Sequence, residues 1–349
     1  MKIPVVIERC DSYDSAQVLS AVRACVEPLG GMSAFVKPGQ KVLLKPNLLR
    51  SAPVEKGVTT HPSVVAAVAQ LVKEAGGELF LGDNPSVGSV ENAARASGIG
   101  AVMREFDIKL VPFKRPTPVK TGESGPLREV EIAGEVLDCG VLINLPKMKT
   151  HAQMFLTLAV KNLFGCVVGT RKLQCLLKAG TNYEHFARML VHIARAARPA
   201  LNIIDGVVAM EGNGPQAGQL RDIGVIAASA DAVALDVVVT KMLGFDPDTV
   251  YTTRAAREIG WGTSRVEDIE IAGVKIADVS VKDFVPPRKG DLILPIPQFA
   301  KRALRRLFTS RPRVDAKKCR LCGECAKICP AQAISIDAKV KIDNGRCIR

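Results

Sequence analysis

Cys319, Cys322, Cys325 and Cys329, with Pro330 directly behind them, form the run C-x2-C-x2-C-x3-C-P. Thiolates at this spacing put three sulfurs on one face of an iron–sulfur cubane; the fourth points away and the proline turns the chain, as in bacterial [4Fe–4S] ferredoxins. Chance cysteines or a disulfide pair would have to match both the spacing and the proline. Electron chemistry is therefore expected.

Cys347 follows two short stretches, 333–337 and 342–344, that read as a turn and a strand pair between two half-motifs. In two-cluster ferredoxins the fourth cysteine of one run ligates the other cluster. Cys329 would then pair with Cys347 and with cysteines beyond Arg349, so the expectation is a second motif cut by the end of this chain: two clusters in a complete protein, one or two here. Cys319, Cys322 and Cys325 need a fourth thiolate from Cys329 or Cys347, and the spacing leaves that choice open.

A second set of reactive residues lies far upstream. Lys45-Pro-Asn47, Thr59-Thr60-His61-Pro62, Gly82-Asp83-Asn84-Pro85, Asn144-Leu-Pro146-Lys147-Met-Lys149-Thr150-His151 and Glu211-Gly-Asn-Gly214 each follow an apolar, β-branched run. In open α/β sheets the ligand crevice forms where strands end. Lys, His and Asn beside Pro and Gly suit an anionic or carbonyl-bearing ligand. Lys147, Lys149, His151 and Lys161 are the candidates to position anionic groups or donate protons. Lys45, Asn47, Thr60, His61, Asp83, Asn84, Asn162 and Glu211 are the candidates to bind substrate. Taken singly, each lysine reads as a solvated surface residue, and Gly212-x-Gly214 leads into another strand, which fails the test for a dinucleotide fingerprint.

The elements that would position these groups alternate in type. Strands are expected at 41–44, 79–81, 108–111, 141–144, 201–204 and 223–227; helices at 61–75, 90–96, 155–164, 183–197, 232–242 and 249–258. This predicts an α/β fold, a large, mostly parallel-sheet domain over 1–284 followed by a small ferredoxin-like α+β module over 313–349. Between them, 285–312 holds a proline-rich linker and a helix with Phe299, Ala303, Leu304, Leu307 and Phe308 on one face and Lys301, Arg302, Arg305 and Arg306 on the other.

With 349 residues, 47% apolar and 24% charged, the chain is ordinary globular material. It has no apolar run of about 18 residues and no signal-peptide pattern at its start, so the expected location is the cytoplasm. Cys10, Cys25, Cys139, Cys166 and Cys175 lack paired spacing and read as reduced thiols. Of the net charge of +13, residues 301–320 carry nine Lys or Arg against Asp315 alone. With three Tyr, one Trp and no recognition motif, nucleic acid is a poor partner; an acidic ferredoxin or flavodoxin fits the charge better.

Together, Lys45-Pro-Asn47, Thr60-His-Pro62, Gly82-Asp-Asn84, Asn144-Leu-Pro-Lys-x-Lys-Thr-His151 and Leu158-x-x-Lys-Asn-x-x-Gly-Cys166 resemble the DUF362 family, over essentially the whole chain. The resemblance implies an iron–sulfur protein made of a large domain and a ferredoxin-type pair of motifs, from which this chain departs by half of the second motif. The expected function is an oxidoreductase component that delivers low-potential electrons from [4Fe–4S] clusters to an unidentified small molecule in the large domain. The alternative is a non-catalytic relay of electrons between partners.

Overall fold

The structure, a computed structural model, describes residues 2–124, 127–179, 182–288, 312–316, 318–329 and 332–343. Its frame is a mixed, mostly parallel sheet, ten-stranded among the described residues. The path runs β12 (Ile269–Gly273), β1 (Ile3–Arg9), β11 (Gln219–Ser229), β10 (Leu201–Glu211), β7 (Val141–Leu145), β2 (Lys41–Pro46), β3 (Glu78–Leu81), β4 (Lys109–Leu110). From β10 to β4 every neighbour is parallel, while β11 is antiparallel to both β10 and β1.

The parallel strands have helices on both faces, so they read as continuous apolar runs rather than alternating ones. Strand geometry still sorts their side chains. Val42, Leu44, Val141, Ile143 and Leu145 join one core with the helices Ser15–Val26 and Pro62–Glu74; Leu43 and Leu142 join the other with Tyr183–Ala197 and Ala232–Met242. The result is three layers, helix on sheet on helix, as the alternation of elements predicts.

Helices Val90–Ala96, Tyr183–Ala197 and Ala232–Met242 fall where expected. Asn182 and Asp231 cap the last two: Asn182 Oδ1 accepts from His185 N and Asp231 Oδ1 from Val233 N and Ala234 N. At the site the structure adds one strand that was not expected and breaks one helix that was. The segment after Pro146 is itself a strand, β8 (Lys147–His151), paired with β10 and with β9 (Phe155–Thr157). The single helix expected over 155–164 is instead β9, one helical turn (Ala159–Asn162) and a 3-10 turn (Leu163–Cys166). Leu158, at φ −128° and ψ −143°, breaks the helix that the apolar spacing suggested, and the β8–β9 pairing takes the residues before it. Tertiary pairing overrides local periodicity here.

β10 and β11 run further than expected, and β4 is only two residues long. An antiparallel ribbon, β5 (Pro116–Lys120) with β6 (Glu129–Ala133), was not foreseen. The chain is still tied to β10 at Val285, whose carbonyl accepts from Gly212 N at 2.9 Å. Near the end, a short helix (Glu324–Ile328) precedes the hairpin β13 (Ile334–Ile336) and β14 (Val340–Ile342), the expected strand pair. The basic amphipathic helix over 299–308 and Cys347 lie outside the described residues.

Candidate functional site

Two buried ion pairs underlie the carboxyl ends of the parallel strands. Lys45, fully buried at the end of β2, reaches Asp83 Oδ1 at 2.8 Å and donates to Pro46 O. Asp83 also accepts from Leu48 N (2.8 Å) and Asn84 N (2.9 Å). Lys147 Nζ lies 2.9 Å from Asp205 Oδ2 and 2.5 Å from the Tyr13 hydroxyl. That hydroxyl donates to Asp205 Oδ1 at 2.8 Å, and the Tyr13 ring stacks on His61 at 3.5 Å. Burial first, then the Asp205 charge, pushes the Tyr13 phenol far up, so it remains a donor.

Gly165 explains how the first pair fits under the backbone. A Cβ at this position would overlap both Asp83 Oδ1 and Lys45 Nζ, so only glycine lets the chain approach this closely.

Above the Lys45–Asp83 pair lies a cleft of ≈ 60 Å³. Lys149, His151 and Thr157 line it from β8 and β9, Lys161 and Asn162 from the helical turn, and Asn47, Asn84 and Lys172 from neighbouring segments. Lys149 Nζ donates to Asn47 Oδ1 and Val58 O, each at 2.7 Å. Lys172 donates to Asn84 O. Lys161 has no hydrogen-bond or ion-pair partner among the described residues; its ammonium lies 5.1 Å from the Phe164 ring centre and 5.8 Å from that of Phe186.

A chain of amides fixes the polar floor. An ammonium can only donate, so Asn47 Oδ1 accepts from Lys149 and Asn47 Nδ2 faces Asn162 Oδ1 at 2.9 Å. Asn162 Nδ2 donates to Asn144 Oδ1, Asn144 Nδ2 to Asn202 Oδ1, and Asn202 Nδ2 to the Ser229 carbonyl. With a lysine at one end and a backbone carbonyl at the other, every amide has one allowed orientation.

Burial lowers the cleft's cations, and they lower one another. Lys149 falls to about 7, through burial and then Lys147 and Lys161; Lys161 falls to about 7 and Lys172 to about 8, burial again leading. His151 is pushed well below its usual value by burial and by Lys161 and Lys149. Its Nδ1 accepts from Gln153 N and Met154 N, both at 3.2 Å, so the neutral ring carries its proton on Nε2. The helical turn holding Lys161 is anchored from below by Asp236, which accepts from Ala159 N (2.7 Å) and Val160 N (3.1 Å); burial raises that carboxyl to about 8.

The structure therefore brings Asn47, Asn84, Lys149, His151, Lys161 and Asn162 to one cleft, with Asp83 in its wall and Lys45 behind it. Lys147, Thr60 and His61 lie outside the cleft. Thr60 Oγ1 donates to Leu145 O, and His61 caps the helix Pro62–Glu74, with burial lowering its ring to about 4. Glu211 binds Val285 N at 3.0 Å in a separate groove. The solvated-lysine reading fails for Lys45, Lys147 and Lys149, which are 0%, 2% and 1% exposed. Lys172, Tyr13, Asp205 and Asp236 escaped the sequence reading. Asp205 alone carried a usable signal, a polar residue just past the expected strand 201–204.

In the small module, Cys319 and Cys329 are half-buried and Cys322 and Cys325 exposed, none in a disulfide. Cys329 Sγ already accepts from Ala333 N at 3.3 Å, the kind of N–H···S contact that surrounds cluster sulfurs. Among the described residues no three or more His, Cys, Asp or Glu are gathered to hold a metal ion; in small metal-binding modules that gathering is commonly completed by the metal itself. The donor set, four free thiols at cubane spacing with a backbone donor in place, fits a [4Fe–4S] cluster. Of the scattered cysteines, Cys10, Cys25 and Cys166 are buried, and burial pushes the Cys166 thiol up to about 12, an unreactive state.

Residues 311–334 match a 4Fe-4S binding domain, and residues 42–241 match the domain of unknown function DUF362. A thylakoid-associated protein of Synechocystis sp. is 44% identical over 259 residues, 74% of this chain and 80% of that protein. Among solved structures, the lactate racemase apoprotein of Thermoanaerobacterium thermosaccharolyticum aligns over 65% of this chain and 54% of its own, with TM-score 0.42 and 13% identity. A Thermotoga maritima protein aligns over 58% and 52%, with TM-score 0.36 and 11% identity. The chain thus spans about half of each of these two solved chains. Fold and sequence define the class: a three-layer α/β protein that carries a [4Fe–4S] ferredoxin-type module. The chain belongs to the DUF362 family. No helix among the described residues is long and apolar enough to cross a membrane.

Proposed function

We propose that the protein is an oxidoreductase component in which the large-domain cleft binds a small anionic molecule and the [4Fe–4S] module supplies its electrons. One observation carries the anion site: Lys149, Lys161 and Lys172 share a cleft in which the one carboxylate among the described residues, Asp83, is already matched by Lys45. Like charges crowded into a half-buried cleft repel, and an anion is what relieves them. Cations near their titration point also suit a molecule that gains electrons, because an ammonium at about 7 can pass a proton to the charge that develops. Lys149, His151 and Lys161 are assigned the positioning and proton-donating roles; Asn47, Asn84 and Asn162 bind polar groups of the ligand. The other sequence candidates support the site: Lys45 and Asp83 form its base, and Lys147, Thr60 and His61 brace the strand ends.

An acidic ferredoxin or flavodoxin is the proposed electron partner, steered by the basic residues 301–320. The name of the Synechocystis relative, thylakoid-associated, is compatible with a place near membrane-bound electron carriers. The test is anaerobic purification of the full chain, with identification of small molecules released on denaturation. Wild type is expected to release an organic anion that Lys161→Gln does not retain. An identical release from both proteins would contradict the site.

A further inference from the structure

The ligand class can be narrowed from donors and charge, an inference that rests on the anion site proposed above. Lys161 offers three N–H groups with no acceptor among the described residues. Lys172 uses one of its three on Asn84 O, and Lys149 uses two on Asn47 Oδ1 and Val58 O. His151 adds its Nε2–H, because Nδ1 is occupied as an acceptor. A carboxylate has two oxygens and about four acceptor positions, fewer than these donors supply. A monoanion would also balance only one of the three lysines, Asp83 being committed to Lys45 at 2.8 Å. The cleft, at ≈ 60 Å³, has room for a head group and little more.

We infer that the cleft is a seat for a tetrahedral dianion, the phosphate group of a small phosphorylated molecule or phosphate itself. Lys161 and Lys172 supply the charge, Lys149 and His151 the directional donors from β8, and the carbon part of an ester would extend out of the cleft.

Binding is then coupled to protons. Lys149 and Lys161 lie at about 7 and Lys172 at about 8 in the free protein. A bound dianion favours their charged forms, so binding takes up protons, and affinity falls as pH rises through 7 and 8. The other groups acting on them, the Lys45–Asp83 and Lys147–Asp205 ion pairs and neutral His151, do not reverse that sign.

The experiment is calorimetric titration of the full-length holoprotein, at constant ionic strength, with sulfate, inorganic phosphate, glycerol 3-phosphate and acetate. Sulfate stays a dianion across the range, so its pH dependence belongs to the protein. The expected result is at least tenfold tighter binding of sulfate and phosphate than of acetate at pH 6.5, with sulfate affinity falling at least tenfold by pH 9. Lys161→Gln should lose at least tenfold in sulfate affinity with no fall in melting temperature, and Lys172→Gln provides a second, independent variant. Glycerol 3-phosphate binding tighter than phosphate would assign the site to esters; the reverse order would assign it to the free ion, which accepts no electrons, and would overturn the redox role proposed above while keeping the dianion seat. Acetate binding as tightly as sulfate would overturn the dianion inference while leaving an anion site in place, whereas sulfate affinity unchanged in both variants would overturn the cleft itself as the site. No saturable binding of any of the four would overturn the proposed anion site as well.

Discussion

Replacing Asp83 with Asn tests whether the floor of the cleft is an ion pair that must stay charged on both sides. In the wild type both carboxylate oxygens are used: Oδ1 faces Lys45 Nζ at 2.8 Å and Asn84 N at 2.9 Å, and Oδ2 takes Leu48 N at 2.8 Å. An asparagine keeps the shape but turns one oxygen into an NH2, which must then face either an ammonium or a backbone N–H. It also leaves Lys45, fully buried, without a counter-charge, facing neutral carbonyl oxygens at best. Removing one partner of a buried pair costs about 3–5 kcal/mol, because the other charge stays desolvated and unmatched. Lys45→Met should cost less, since Asp83 would keep two backbone N–H donors. The assay is anaerobic urea unfolding of the full chain followed by far-ultraviolet circular dichroism. A loss below about 1 kcal/mol for Asp83→Asn, in the range of surface pairs, or a larger loss for Lys45→Met, would refute the reasoning.

Three further outcomes are expected. Gly165→Ala forces a Cβ into the Lys45–Asp83 pair and should cost at least about 2 kcal/mol by strain of the kind seen on overpacking, measured by the same unfolding assay; a neutral effect would mean the pair can move aside. Asp236 has its carboxyl raised by burial to about 8 in the folded state. The fold therefore gains most from it below about pH 4, its ordinary range, and loses that contribution as pH climbs through 8; the wild type's stability lead over Asp236→Asn should shrink across that window, and a lead that grows with pH would reverse the sign. Cys322→Ser should remove the visible absorption and the low-temperature EPR signal of a [4Fe–4S] cluster. Cys25→Ser, buried and donating to Ile226 O at 3.4 Å, should leave both unchanged, and equal loss in the two proteins would mean the ligands are misassigned.

Sequence reasoning located the strand-end lysines because polar residues that interrupt apolar β-branched runs mark where a parallel sheet opens. Its reach stopped where geometry is set by distant partners. Lys147 and Lys149 differ by two residues, yet one is consumed by Asp205 and Tyr13 while the other faces the cleft; no local pattern separates them, because Tyr13 lies 134 residues away. Lys172 comes from a helix with no motif around it and is tied to the cleft by contacts beyond that helix, the distant Asn84 carbonyl and the Phe164 ring. The segment 155–164 looked helical by its apolar spacing, but pairing with β8 claims its first residues. The cysteine run was legible as an iron–sulfur motif because its spacing is local, and it falls inside the matched 4Fe-4S binding domain at 311–334; which cysteine completes the cluster is not set by that spacing.

The central claim is that cluster and cleft work as one redox unit around an anion. Its most direct measurement is the anaerobic rate at which dithionite-reduced clusters, freed of excess reductant, are reoxidised on adding the anion released from the denatured wild-type protein. The account predicts that this anion accelerates reoxidation in wild type and has no effect in Lys161→Gln, with both proteins holding the same iron content. Equal reoxidation rates in the two proteins, or clusters that stay reduced in both, would contradict it.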